Sequence, residues 1–365
     1  MRSALALARR GLGRVWPNPA VGCVIVAGAE RDARVLGRGW TQAGGRPHAE
    51  TEALARAGTS AKAATAYVTL EPCAHHGRTP PCADALIAAG VARVVVGVAD
   101  RNPRTAGRGV AALRAAKIDV IENVLAREAE ELNAGFFMRL AQGRPLVTLK
   151  LATSLDGRIA TASGESRWIT GERSRARAHL MRAEQDAILI GAGTAIADDP
   201  LLTCRLPGME HRSPIPVVVD GGRRVPESAK LFRTARERKT ILATRAPDAA
   251  GKKSLAALAA AGVEIMELPE DTPGHVDLAA MLRALGDRGL TRVMVEGGGG
   301  MGTALLRRGL VDRIAWFRAP ILLGNDGVPA VAGLELAKLA EAPGFERTGV
   351  ETLGDDLLET YRKRA

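Results

Sequence analysis

Residues 65–73 read Thr65-Ala66-Tyr67-Val68-Thr69-Leu70-Glu71-Pro72-Cys73, and a second cysteine follows in Pro81-Cys82. Thr65–Leu70 is β-branched and apolar enough to predict a strand, and Glu71-Pro72 ends it. Outward from this stretch, Val21–Val26 is a continuous apolar run that predicts a buried strand. Ala49–Gly58 predicts a helix stopped by its glycine. Downstream, Asp84–Ala89 predicts a helix, Val91–Val98 a strand and Val110–Ala116 a helix, and Met1–Gly11 at the start also has helical spacing. Strands alternating with helices point to an α/β layered sheet.

The chain has 365 residues, more than one core usually serves. A break is predicted near Gln142-Gly143-Arg144-Pro145, after a helix over Glu128–Leu140. Beyond it, strands are predicted at Leu146–Leu151, Ala187–Gly191, Ile215–Asp220, Thr240–Thr244, Val263–Leu268, Arg292–Glu296 and Arg313–Arg318. Helices are predicted at Glu172–Ala183, Ser254–Ala261, Asp277–Gly286 and Gly302–Arg308, again an α/β pattern, with no repeat of the first half. Apolar residues make up 46% and charged residues 25%, which excludes a disordered or collagen-like chain. No apolar stretch is long enough to span a membrane and the N-terminus lacks a signal-peptide pattern, so the expected location is the cytoplasm. The net charge is +11, and residues 1–144 hold 20 Lys+Arg against 12 Asp+Glu. With aromatics at only 3%, that field suits a phosphorylated small molecule better than a nucleic acid, which needs stacking surfaces.

Four cysteines are too few for a disulfide framework, and Cys23 reads as a buried hydrophobe. Cys73, Cys82 and His48 supply two thiolates and an imidazole. Three ligands leave the fourth tetrahedral position of zinc open to water, whose pKa the metal lowers toward 7. Glu50, two residues after His48, is free to shuttle protons. Taken singly, the histidine reads as a packed side chain and the cysteines as buried thiols; together with Glu50 they read as a catalytic zinc site. The arrangement resembles the H-x-E…P-C…C signature of zinc nucleobase deaminases, except that the cysteines are spaced C-x₈-C instead of C-x₂-C. His75 and His76, in the insert Ala74–Pro81, are further ligand candidates; the insert is expected to line the substrate mouth.

With Pro17-Asn18-Pro19-Ala20-Val21-Gly22, Thr69–Cys73 and His75–Cys82, the first half resembles the bifunctional riboflavin-biosynthesis deaminase/reductases. The second half agrees through Lys150–Gly157, Ser163–Thr170 and Asp198–Thr203. The resemblance implies a cytidine-deaminase-like α/β/α sandwich over 1–143 and a dihydrofolate-reductase-like α/β domain over 144–365. It implies zinc-dependent removal of the 2-amino group of a diaminohydroxy-pyrimidine carrying a phosphoribosylamino group, then NADPH reduction of ribosyl to ribityl. The expected partners are phosphorylated pyrimidines, with no nucleic acid and no membrane, and the chain is expected to form a homo-oligomer. The metal ligands would be His48, Cys73 and Cys82, with Glu50 catalytic.

The strand Val293–Glu296 runs into Gly297-Gly298-Gly299-Gly300-Met301-Gly302, which contains a literal G-x-G-x-x-G. Such a turn lets phosphate approach the backbone, or is simply a tight strand–helix turn. The acidic residue of a Rossmann site does not follow it. The resemblance implies cofactor contacts at Ala152, Trp168, Thr194, Asp198, Gly221, Gly298, Gly299, Gly300, Met301, Gly302, Thr303 and Ala304. It implies substrate contacts at Ser166, Arg182, Leu202, Arg205 and Glu296. Arg182 and Arg205 can fork onto a phosphate, and Trp168 offers a flat face to a ring. At Gly221 similar proteins often carry serine; Arg223 and Arg224 follow at once and are candidates to hold a 2′-phosphate instead. One rival reading is a tRNA-type deaminase with an appended binding domain, which would call for C-x₂-C spacing and a basic aromatic surface. Another is a non-catalytic zinc module, which gives Glu50 no role.

Overall fold

The computed structural model describes residues 1–28, 32–75, 80–103 and 105–364. Two compact units divide it, Met1–Gly143 and Arg144–Ala365.

In the first unit the strands are β1 (Gly22–Ala27), β2 (Arg34–Trp40), β3 (Thr65–Leu70), β4 (Arg93–Val98) and β5 (Asp119–Ile121), in the order β2-β1-β3-β4-β5. β1 runs antiparallel to β2 and β3, whereas β3, β4 and β5 are parallel. The helices are α1 (Arg2–Ala8), α2 (Ala49–Ala57), α3 (Cys82–Ala88), α4 (Arg108–Ala115), α5 (Ala126–Leu132) and α6 (Ala134–Gln142). Ala53, Leu86 and Leu113 of α2, α3 and α4 join Ile25 and Val96 of the sheet in one core cluster. Leu5 and Ala8 of α1 pack with Ala129 and Leu132 of α5 in another.

α2 lies hard against β2. A Cβ at Gly37 would sit 2.1 Å from the Ala53 carbonyl oxygen, and one at Gly39 would sit 2.1 Å from that of Ala49. Two bare positions on one strand therefore fix the height of the helix that His48 and Glu50 begin. The helix expected over Glu128–Leu140 is two helices, broken at Asn133. Asn133 is buried and pairs with Ala20, accepting from its N–H at 2.9 Å and donating to its carbonyl at 3.1 Å.

The second unit holds β6 (Leu146–Thr153), β7 (Arg158–Ala160), β8 (Ala187–Gly191), β9 (Ile215–Val219), β10 (Thr240–Arg245), β11 (Val263–Leu268), β12 (Glu270–Thr272), β13 (His275–Val276), β14 (Arg292–Val295), β15 (Arg313–Arg318), β16 (Val328–Pro329), β17 (Phe345–Leu353) and β18 (Asp356–Lys363). Nine of them form one sheet, β11-β10-β9-β8-β14-β6-β15-β18-β17, parallel except for the closing antiparallel pairs β15–β18 and β17–β18. β12 pairs with β13 and β16 with β7 in two small ribbons. The helices are α7 (Glu172–Ala183), α8 (Ala192–Asp198), α9 (Lys230–Arg233), α10 (Ala249–Ala260), α11 (Leu278–Asp287) and α12 (Gly299–Arg307). Ile188, Leu189 and Ile190 of β8 are all fully buried, as a central parallel strand covered on both faces requires. No helix among the described residues is long and apolar enough to cross a membrane.

Candidate active sites

The first site lies where β3 ends. Glu71 and Pro72 lead off the strand, and the buried Glu71 carboxylate accepts backbone N–H bonds from Asp100, Gly107, Gly109 and Val110 at 3.0–3.3 Å. That anchor fixes the chain one residue before Pro72-Cys73. His48 is the N-cap of α2, Glu50 lies in its first turn, and Cys82 opens α3.

His48 Nδ1 lies 3.3 Å from Cys82 Sγ and 3.7 Å from Cys73 Sγ, and the three donor atoms fall within 4.8 Å of one another. A tetrahedral zinc with one nitrogen and one sulfur ligand separates those atoms by about 3.5 Å. The donor set and its spacing therefore fit zinc. Cys73 Sγ also accepts from the Cys82 backbone N–H at 3.3 Å. The Cys82 thiol, and to a lesser degree His48, bring the Cys73 thiol down to about 4 against the effect of burial, and Cys82 itself is pushed up by that sharing. Glu50 is 3% exposed, and burial pushes its carboxyl up to about 7, with His48 pulling down and Cys73 pushing up. A carboxyl poised there both takes and returns a proton near neutrality.

His75 stands apart from the cluster, with Nδ1 at 3.4 Å from Thr105 Oγ1. His76 and residues 77–79 lie outside the described residues.

The second site is a cleft of about 1610 Å³ at the ends of β6, β8, β9 and β14. Ala152, Trp168, Thr194, Asp198, Gly221, Gly298, Gly300, Met301, Thr303 and Ala304 line it, as do Ser166, Arg182, Leu202, Arg205 and Glu296. Gly299 and Gly302 do not. A Cβ at Gly299 would meet the Pro329 carbonyl at 2.7 Å, and one at Gly302 would meet Leu149 Cδ1 at 2.9 Å, so these two glycines serve packing. At Gly300 a Cβ would meet nothing within 4 Å, which leaves that face of the turn open. Thr194 Oγ1 accepts from the Gly298 N–H at 3.0 Å and ties α8 to the turn.

Arg182 donates through Nε and Nη2 to both oxygens of Glu296, at 2.7 and 2.8 Å, and through Nη1 to the Thr203 carbonyl at 3.0 Å. Its fork is thus engaged by a carboxylate rather than presented to a phosphate. Among the described residues Arg205 has no carboxylate partner; it packs on His179, whose ring nitrogens lie 3.3 Å from Arg205 N and Nε. Burial, Arg182 and Arg205 hold His179 down at about 4, so it is neutral near pH 7 and charged only in acid. Trp168 is 64% exposed at the mouth, with the Arg175 guanidinium 4.8 Å from its ring centroid.

Lys150 was not among the expected site residues. It lines the cleft as the one charged residue of β6 and is lowered by burial, opposed by Glu296. A lone lysine in a central strand was the available signal.

The profile of the "RibD C-terminal domain" matches residues 145–358, and that of the "Cytidine and deoxycytidylate deaminase zinc-binding region" matches residues 1–98. Riboflavin biosynthesis protein RibD of Escherichia coli is 44% identical, over 98% of this chain and 96% of its own. Among solved structures, Acinetobacter baumannii RibD superposes with a TM-score of 0.86 at 37% identity, covering 100% of this chain and 98% of that one. A diaminohydroxyphosphoribosylaminopyrimidine deaminase/5-amino-6-(5-phosphoribosylamino)uracil reductase from Thermotoga maritima gives 0.84 at 36% identity, covering 100% and 97%. A relative at this identity along 98% of the chain, two profiles in this order and a superposition over the full length lead to one conclusion: the chain belongs to the RibD family, the bifunctional deaminase/reductases of riboflavin biosynthesis.

Proposed function

We propose that residues 1–143 remove the 2-amino group of 2,5-diamino-6-(5-phosphoribosylamino)pyrimidin-4(3H)-one and that residues 144–365 reduce the product's ribosyl group to ribityl with NADPH. The observation that carries the reading is His48 Nδ1 facing both Cys73 and Cys82 sulfurs, with buried Glu50 beside them. His48, Cys73 and Cys82 would hold zinc, which when bound supplies a Lewis acid that makes a water acidic near neutrality. Glu50 takes a proton from the attacking water and delivers it to the ring nitrogen next to C2. It then takes the proton of the new C2 hydroxyl and passes it to the amino group, which leaves as ammonia as the C2 carbonyl forms.

In the second site NADPH, when bound, supplies the hydride. The open face at Gly298 and Gly300 and the start of α12 receive its pyrophosphate. Arg205, backed by His179, takes the substrate's 5′-phosphate. Glu296, anchored by Arg182, receives sugar hydroxyls. Lys150 Nζ, in the same cleft, gives a proton to the sugar oxygen freed when the ribose ring opens. The reading makes the protein a cytoplasmic assembly of identical chains acting on small phosphorylated pyrimidines, with no nucleic-acid partner.

The experiment is a Cys73→Ser variant assayed for zinc content, ammonia release and NADPH oxidation. Loss of about one zinc per chain and of ammonia release, with NADPH oxidation retained on supplied deaminated intermediate, supports the assignment. Retention of both zinc and ammonia release refutes it.

A further inference from the structure

One wall of the cleft forms where β9 ends. Asp220 closes the turn there: its Oδ2 accepts from the Val225 N–H at 2.7 Å and its carbonyl from the Arg223 N–H at 3.3 Å. Between them lies Gly221, where a Cβ would stand 2.8 Å from the carbonyl oxygen of Gly274. Gly274 is the tip of the β12–β13 hairpin, at φ +83°. The hairpin therefore sits directly on bare backbone, and a serine at 221 would displace it rather than add a hydroxyl to the site. Arg245 holds the hairpin from one side, donating to the Gly221 carbonyl at 2.8 Å and to Glu270 at 3.1 Å, and Arg308 holds Asp271 from the other.

The two arginines that follow diverge. Arg223, at φ +55°, turns toward the start of α10, where its Nη2 lies 3.5 Å from Asp248 Oδ1 and its Nε 2.7 Å from the Cβ position of Gly251. It does not line the cleft. Arg224 does: its stem crosses Gly222, with Cγ 3.4 Å from that residue's Cβ position, and the residue is exposed.

Most of the other cations around the cleft are engaged, and Arg205 and Lys150 are assigned above to the substrate. Arg182 is paired with Glu296, Lys230 with Asp199, Arg307 with Glu335 and Arg308 with Asp271, and Arg175 donates to the Thr170 carbonyl. Arg224 has no hydrogen bond or ion pair among the described residues. The ends of β14 and β9 are two strands apart, about 10 Å. An adenosine ribose bearing a 2′-phosphate covers that reach from a pyrophosphate seated on the turn after β14.

We propose that Arg224, on the turn whose Gly221 carries the β12–β13 hairpin, is the residue that selects a 2′-phosphorylated dinucleotide. The inference rests on the reading of residues 144–365 as a reductase taking a nicotinamide dinucleotide. A guanidinium forks onto a phosphate dianion, whereas the 2′-hydroxyl of NADH offers it no charge.

The test is calorimetric binding of NADPH, NADH and 2′,5′-ADP to the full chain and to Arg224→Ala, Arg224→Lys, Arg223→Ala and Gly221→Ser. One charged hydrogen-bonding contact predicts that Arg224→Ala weakens NADPH and 2′,5′-ADP by roughly 10–150-fold. NADH should stay within about threefold, and Arg224→Lys should recover part of the loss. Arg223→Ala should keep the NADPH/NADH ratio, and Gly221→Ser should weaken both cofactors alike. A preference that survives Arg224→Ala, or vanishes in Arg223→Ala, overturns the proposal. A wild-type chain that binds both cofactors equally overturns it while leaving the reductase reading in place. One that binds neither removes that reading and the proposal together.

Discussion

Glu296, where β14 gives way to the glycine turn, holds both arms of Arg182 from α7 at 2.7 and 2.8 Å, with side-chain exposures of 9% and 17%. Burial pushes the Glu296 carboxyl up, but Arg182, Lys150 and His179 more than reverse this and hold it at about 2, against an ordinary 4.5. A carboxyl depressed in the folded state adds stability above its ordinary pKa and loses it as pH falls through the folded value. The contribution, of order 3 kcal/mol, is therefore complete above pH 4.5 and disappears toward pH 2. In denaturant unfolding of the full chain, Glu296→Gln should be less stable at pH 6 and should lose this part of the acid-limb slope. An unchanged slope would contradict the assignment.

The glycines of the turn should separate by function. Gly300→Val meets open space and should raise the cofactor KM while leaving the unfolding midpoint near wild type. Gly299→Val drives a branched side chain into the Pro329 and Ala330 carbonyls, 2.7 and 3.1 Å from its Cβ, and should cost about 1–3 kcal/mol of stability. The check is thermal unfolding beside NADPH titration; equal effects of the two variants in both measurements would refute the distinction.

Each unit has its own sheet and core clusters, so a fragment ending at Gly143 should deaminate and one starting at Arg144 should reduce. Folded, soluble fragments that are both inactive would contradict that independence.

The metal loop was legible in the sequence because its chemistry is carried by residue types at short range: His48 and Glu50 share one helical turn, and Cys73 directly follows a strongly patterned strand. β2 was not legible. Its Gly37 and Gly39 replace the apolar alternation that marks a strand, since α2 presses on them too closely for any side chain. The break at Asn133 depends on Ala20, far away in the chain, which periodicity does not encode. The edge hairpin β17–β18 went unread because half-exposed positions blur the alternation in β17. In the cleft, the roles of arginines depend on partners: sequence offered Arg182 as a phosphate fork, whereas Glu296 occupies that fork.

In the proposed deaminase, Glu50 moves the protons of the reaction at a zinc held by His48, Cys73 and Cys82. Glu50→Gln keeps the shape of a 3%-exposed side chain and removes its ability to carry a proton. The deciding measurement is the ammonia-release rate of this variant together with its zinc content. The expected result is about one zinc per chain, as in wild type, with deamination slowed by about 10²–10⁴-fold. A variant that retains zinc and deaminates within about threefold of the wild-type rate would contradict it.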